Sequence, residues 1–271
     1  MFRSIILIAL IASQNSTIEY SCNNIIKLEE QAVAKDSKDF FVLAHCYQGG
    51  EGVTKDLSKA AEYFRKSADQ NYAPAQNNLG VMYKNGEGVV KDFVKAAEYF
   101  QKAADQNYAP AQFNLGVMYQ YGDGVTKDFV KAIEYFQKAA DQNDASAQHN
   151  MGVMYQNGRG VTKDLVKAVE YFQKAADQNY APAQSNLGIM YNNGDGVTKD
   201  LVKAVEYFQK AADQNEIYAQ NSLGIMHMNG KGVEKDMNKA VEYFQKAADQ
   251  NDVTAINNLK LIRKFCKSCK K

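Results

Sequence analysis

The stretch Gly160–Asn179, GVTKDLVKAVEYFQKAADQN, occurs six times with almost no change; its copies end at Asn71, Asn107, Asn143, Asn179, Asn215 and Asn251, always 36 residues apart. A period of roughly 20–50 residues marks stacked supersecondary units rather than one domain around one core. Between the copies lies the other half of the unit, for example APAQNNLGVMYKNGEG at Ala73–Gly88. The six units run Ser37–Tyr72, Ala73–Tyr108, Ala109–Asp144, Ala145–Tyr180, Ala181–Glu216 and Ile217–Asp252. A half-unit, Val253–Lys271, closes the chain.

Each unit reads as helix–turn–helix. Pro74, Pro110 and Pro182 are the only prolines, and they stand where a first helical turn has no use for an N–H. Ala75, Leu79 and Tyr83 follow at i, i+4 and i+8 and share a buried face. Gly80 lies inside that helix, where glycine costs about 1 kcal/mol against alanine; its return at Gly116, Gly152, Gly188 and Gly224 implies close packing that outweighs the cost. Gly86-Glu87-Gly88 breaks the helix, and Asp92 caps the next one, as do Asp56, Asp128, Asp164, Asp200 and Asp236. Ala96, Phe100, Ala103 and Ala104 form its inward face, and Asn107 ends it because asparagine tolerates the left-handed conformation.

Composition limits the function classes. A net charge of +1 provides no global field for nucleic acid or anionic membranes. Only the tail is basic, with Lys260, Arg263, Lys264, Lys267, Lys270 and Lys271. At the other end, Arg3, the apolar run Ile5–Ala12 and the small Ser13 follow the signal-peptide pattern, so residues 1–13 are expected to direct export. Eight apolar residues are too few to cross a bilayer, which takes about 20. Export into a eukaryotic secretory pathway would make Asn15, in Asn15-Ser16-Thr17, a glycosylation acceptor. Residues 18–36 are expected to form a helix capping the first unit, with Ile25, Ile26, Leu28 and Ala32 on its apolar side.

The pattern Ala75, Leu79, Gly80, Tyr83, Gly86, Gly88, Val89, Asp92, Lys95, Ala96, Tyr99, Phe100, Lys102, Ala103, Ala104 resembles the Sel-1-like repeat, and the resemblance covers residues 37–271. It implies an all-α fold related to tetratricopeptide proteins: a right-handed α-solenoid of tandem helix-turn-helix units whose first helices line a concave surface. It also implies a scaffold or adaptor for other proteins. The first unit departs from the pattern with Ala44 and Cys46, and the last half-unit with Lys260. These changes fit end-capping variants.

Catalysis finds little support. His45, His149 and His227 fall in separate units, and His227 stands where the other units have Tyr83, Tyr119, Tyr155 or Tyr191. The G-x-G turns lack the third glycine and flanking strand of a dinucleotide site, and there is no GK[ST] phosphate loop. No cofactor and no metal site are expected. Four cysteines, Cys22, Cys46, Cys266 and Cys269, are more simply two disulfides of an exported protein, Cys22–Cys46 and Cys266–Cys269, than a zinc site split across the whole repeat array. A redox role for Cys266-x-x-Cys269 is the alternative. Cysteine-rich secreted relatives of the resembled family include proteins assigned β-lactam-hydrolysing or penicillin-binding activity. This chain has neither their cysteine pair in every unit nor a Ser-x-x-Lys nucleophile motif.

Binding is the better expectation. In the first helix the stripe at 77, 81 and 84 lies opposite the core as read from spacing. It runs Asn77-Val81-Lys84, Phe113-Val117-Gln120, His149-Val153-Gln156, Ser185-Ile189-Asn192 and Asn221-Ile225-Met228. The middle position stays aliphatic while its flanks change. This predicts a groove with an apolar floor and variable rims for a peptide or helix of a protein partner. The competing reading packs the aliphatic residue on the neighbouring unit. The chain is expected to be a secreted or extracytoplasmic monomer without a transmembrane span.

Overall fold

The computed structural model describes Cys22 and residues 36–265. Among them are thirteen α-helices and no strand. The first helices of successive repeats are α1 (Ser37–Gly49), α3 (Ala73–Asn85), α5 (Ala109–Tyr121), α7 (Ala145–Asn157), α9 (Ala181–Asn193) and α11 (Ile217–Asn229). The second helices are α2 (Leu57–Asp69), α4 (Phe93–Asp105), α6 (Phe129–Asp141), α8 (Leu165–Asp177), α10 (Leu201–Ala212) and α12 (Met237–Ala248). The closing half-unit contributes α13 (Val253–Phe265). The chain divides into two compact units, residues 1–127 and 128–271. Within each, every helix packs on the next one in the chain, α1 through α5 in the first and α6 through α13 in the second. This is the tandem helix-pair stacking of an α-solenoid. The expected signal peptide at 1–13 and capping helix at 18–36 lie outside the described residues, apart from Cys22 and Asp36.

The repeated stretch owes its shape to its two ends. Asp164 is extended at the N-cap of α8, and its carboxylate accepts from the Lys167 N–H at 3.0 Å. At the other end Asn179 adopts φ 61°, and the five equivalent asparagines lie between 60° and 66°. The Asn179 N–H then reaches Ala176 O at 2.9 Å and the Tyr180 N–H reaches Ala175 O at 3.2 Å, which closes a Schellman motif on asparagine. First helices begin in one of two ways. Tyr72, Tyr108 and Tyr180 precede a proline and make no side-chain cap, whereas Asp144, Glu216 and Asp252 cap with a carboxylate.

Two glycines have identifiable work. A Cβ on Gly152 would stand 2.6 Å from Phe172 Cδ1, so the close approach in the first helix comes from the phenylalanine ring of the second. Gly196, at φ 68°, would place a Cβ 2.3 Å from Leu165 O, the start of the preceding repeat's second helix. The second glycine of the G-x-G turn is therefore an inter-repeat contact as well as a helix breaker.

Cores are shared between consecutive repeats. Ala168, Phe172, Ala175 and Ala176 of α8 cluster with Ala183, Leu187 and Met190 of α9. Outside this core the α9–α10 pair stacks two rings. Tyr191 and Tyr207 lie 5.5 Å apart at 7°, with Lys203 over the Tyr191 ring at 5.3 Å and Lys210 over the Tyr207 ring at 5.2 Å. His227, buried, takes the tyrosine's place on Tyr243 at 5.6 Å and 11°. His227 is thus a packing residue, stacked as the tyrosines are.

A buried amide network welds one repeat to the next. Gln184, 2% exposed, donates from Nε2 to Ala176 O at 3.4 Å and Asn179 Oδ1 at 3.0 Å, and accepts from Gln214 Nε2 at 2.8 Å. Gln76 with Gln106 and Gln148 with Gln178 repeat the arrangement, each inner bond 2.7 Å long. Buried polar groups satisfied in this way fix one geometry among many that apolar contacts alone would tolerate.

Candidate interaction surface

The first helices place the expected binding stripe, and the structure corrects its outer edge. Asn77, Ser185 and Asn221 are buried, and Gln120 is buried too, so these residues do not lie on an open rim. Position 77 and its equivalents instead join the next repeat. Ser185 Oγ donates to Glu216 Oε2 at 3.0 Å, Asn221 Nδ2 to Asp252 Oδ1 at 2.9 Å, and Asn114 Nδ2 to Asn77 Oδ1 at 3.0 Å. In the last two repeats the side chain at this position bonds the cap residue of the following first helix. Ser185 and Asn221 therefore serve repeat–repeat fitting, through partners 31 residues further on.

His149 belongs to the same row. Its ring lies 5.6 Å from that of Phe172 and 5.5 Å from that of Tyr180, and the Asn186 amide lies 2.9 Å from Nε2. Burial pushes its pKa down to about 4, so the ring is neutral at physiological pH. His45 stands at the Val81 position of the first repeat, with Asn78 Nδ2 at 3.2 Å and Phe41 and Phe64 edge-on. Its pKa is lowered by burial too, against a hydrogen bond to Gln48 that raises it.

The aliphatic middle of the stripe is half open. Val153 and Ile189 pack one side on the core of the following repeat and leave the other accessible, while Ile225 is 40% exposed. Val81 and Val117 are intermediate, as are Phe113, Lys84, Gln156 and Asn192. Met228 packs against the core formed with α13. The residues of the row support the neighbouring repeat and still present apolar surface. A second apolar row, not singled out in the sequence, lies near the start of the second helices: Val94, Val130, Val166 and Val202 are all 56–58% exposed. In the first unit a shallow hollow of about 440 Å³ lies beside it, lined by Val94, Glu98, Leu115, Tyr119 and Val125.

Cys22 and Cys46 form a disulfide, and Cys46 is fully buried where later repeats carry a core methionine. Cys266, Cys269 and Asn15 lie outside the described residues. Among those described, no group of histidine, cysteine and carboxylate side chains is arranged to hold a metal ion. None of the described helices is long and apolar enough to cross a membrane.

The repeat pattern of the Sel1 repeat family matches residues 41–72, 73–108, 109–144, 145–180, 181–216 and 217–252. The chain belongs to the Sel1 repeat family. Two solved structures carry the likeness further. A protective antigen of uropathogenic Escherichia coli, c5321, with an SLR fold, is 35% identical over 92% of this chain with a TM-score of 0.83. The chain spans 53% of that antigen's length. A Sel1 repeat protein from Oxalobacter formigenes is 36% identical over 86% of this chain and 91% of its own, with a TM-score of 0.78. None of the curated proteins compared with the chain matches it. Membership of this family supports a role as a repeat scaffold in protein interaction.

Proposed function

We propose that this Sel1 repeat protein is an exported, non-catalytic scaffold that holds a polypeptide partner against the open face of its first helices. The observation that carries the reading is the aliphatic row Val153, Ile189 and Ile225, which keeps apolar surface accessible on successive first helices although a fully buried core lies directly behind it. Apolar residues repeated in register, flanked by amides such as Gln156 and Asn192, supply the anchors and polar edges that a bound segment needs. Export is supported by the charged and apolar start of the chain and by the Cys22–Cys46 bond, since such bonds persist in oxidising compartments. The test is affinity capture with the full chain beside Val153→Asp/Ile189→Asp, both checked for folding by circular dichroism. A partner held by the native chain and lost by the variant supports the proposal. Equal capture by both moves the site elsewhere. A chromogenic β-lactam assay on the same preparation tests the non-catalytic part, and turnover above the rate without protein would overturn it.

A further inference from the structure

From α3 to α12, charge is segregated between the two kinds of helix. Each second helix from α4 to α12 carries three or four lysines and carboxylates, whereas α3, α5, α7, α9 and α11 together carry one, Lys84. In the second unit the first helices α7, α9 and α11 carry none. His149 and His227, their only other titratable side chains besides tyrosine, are packed into the ring contacts described above. At the N-terminal edge of this face the carboxylates of Asp144, Glu216 and Asp252 are each taken up by a backbone N–H of the helix they cap. Charge that can meet a ligand returns at the turns, where Arg159, Asp195 and Lys231 stand, and beyond α11 on α13, with exposed Lys260 and Lys264.

We infer that the segment held on the α7–α9–α11 face is an uncharged stretch of polypeptide, aliphatic and amide-rich. The inference rests on the proposed binding role and names its partner's chemistry. A charged side chain laid on this floor would give up hydration and meet no countercharge, because Val153, Ile189, Ile225, Gln156 and Asn192 offer only apolar surface and neutral dipoles. Amides at the edges can pair with the backbone of an extended segment whatever its side chains. With helices about 10 Å in diameter, the axes of three successive first helices span at least about 20 Å, the length of roughly six extended residues. Affinity then comes from apolar burial and neutral hydrogen bonds, and screening by salt leaves it unchanged.

A random twelve-residue peptide display library, selected on the full chain, tests this. The expected result is enrichment of sequences with an uncharged core of about six residues. Their synthetic peptides should bind with a Kd that moves less than about twofold between 50 and 500 mM NaCl. A single lysine or aspartate placed mid-core should weaken binding at least tenfold. Gln156→Glu/Asn192→Asp, a near-isosteric pair that adds charge without changing shape, should weaken binding at least fivefold. Enriched peptides with charged cores, still lost on Ile189→Asp, would overturn the inference and leave the binding face standing. Peptides indifferent to both variants, or no enrichment, would overturn the binding face itself.

Discussion

Replacing Gln184 with leucine tests what holds one repeat to the next. The side chain is 2% exposed and makes three hydrogen bonds, to Ala176 O, to Asn179 Oδ1 and from Gln214 Nε2. None of its partners is orphaned by the change. Ala176 O still accepts from the Asn179 N–H at 2.9 Å, and Gln214 Nε2 keeps Asn179 Oδ1 at 3.1 Å and Lys210 O at 3.3 Å. The loss is therefore three net hydrogen bonds at about 1 kcal/mol each, offset by about 1 kcal/mol from the added apolar burial, for a net cost of about 2 kcal/mol. Gln184→Glu should cost more, because a carboxylate there faces the acceptors Ala176 O and Asn179 Oδ1 in place of a donor. Stability in a repeat array is a sum over units and interfaces, so global unfolding in urea should be read beside local hydrogen exchange at the α8–α9 junction. A Gln184→Leu/Gln214→Ala cycle should return a coupling of about 1 kcal/mol. A variant within about 0.5 kcal/mol of the native chain, with exchange unchanged, would refute the account of the network, since changes of that size are typical of featureless surface sites.

Three further predictions follow from single sites. Gly196→Ala should destabilise by about 3 kcal/mol or more and Gly194→Ala by only about 1 kcal/mol, because both hold positive φ but only the former drives a Cβ into Leu165 O; equal losses in urea unfolding would contradict this. His149 holds fewer protons folded than unfolded between pH 6.5 and about 4. Stability should therefore fall as pH drops through that window, by up to about 3 kcal/mol, and His149→Gln should remove that component of the slope. Reducing Cys22–Cys46, which closes a sequence separation of 24, should loosen the first repeat by about 3 kcal/mol. Faster hydrogen exchange confined to α1 and α2 is the expected readout, and exchange unchanged on reduction would speak against it.

Most of the fold was legible because its signals are local and repeated. Asp164 and Asn179 mark the ends of the second helix by their own backbone chemistry, and Gly196 marks the turn, so each needs no knowledge of what lies across the interface. Of the stripe proposed for binding, only the half-open aliphatic centre was legible. Ser185 and Asn221 look like free variation along the chain, yet their partners Glu216 and Asp252 stand 31 residues on, at the caps of the next first helices. Gln184 was harder still: a glutamine on a helix reads as solvent-facing unless its recurrence at Gln76, Gln112, Gln148 and Gln220, beside the unvarying Asp-Gln-Asn, is taken as a sign of pairing. Gly152 illustrates a smaller shift, from close packing in general to one phenylalanine ring.

The measurement that bears most directly on the proposed function is hydrogen exchange of the full chain, read by mass spectrometry, with and without a selected peptide bound. The account predicts added protection on α7, α9 and α11, centred on the turns of helix that carry Val153, Ile189 and Ile225, with α8, α10 and α12 unchanged. Protection concentrated on the second helices, around Val166 and Val202, would contradict it and assign the binding role to the opposite row.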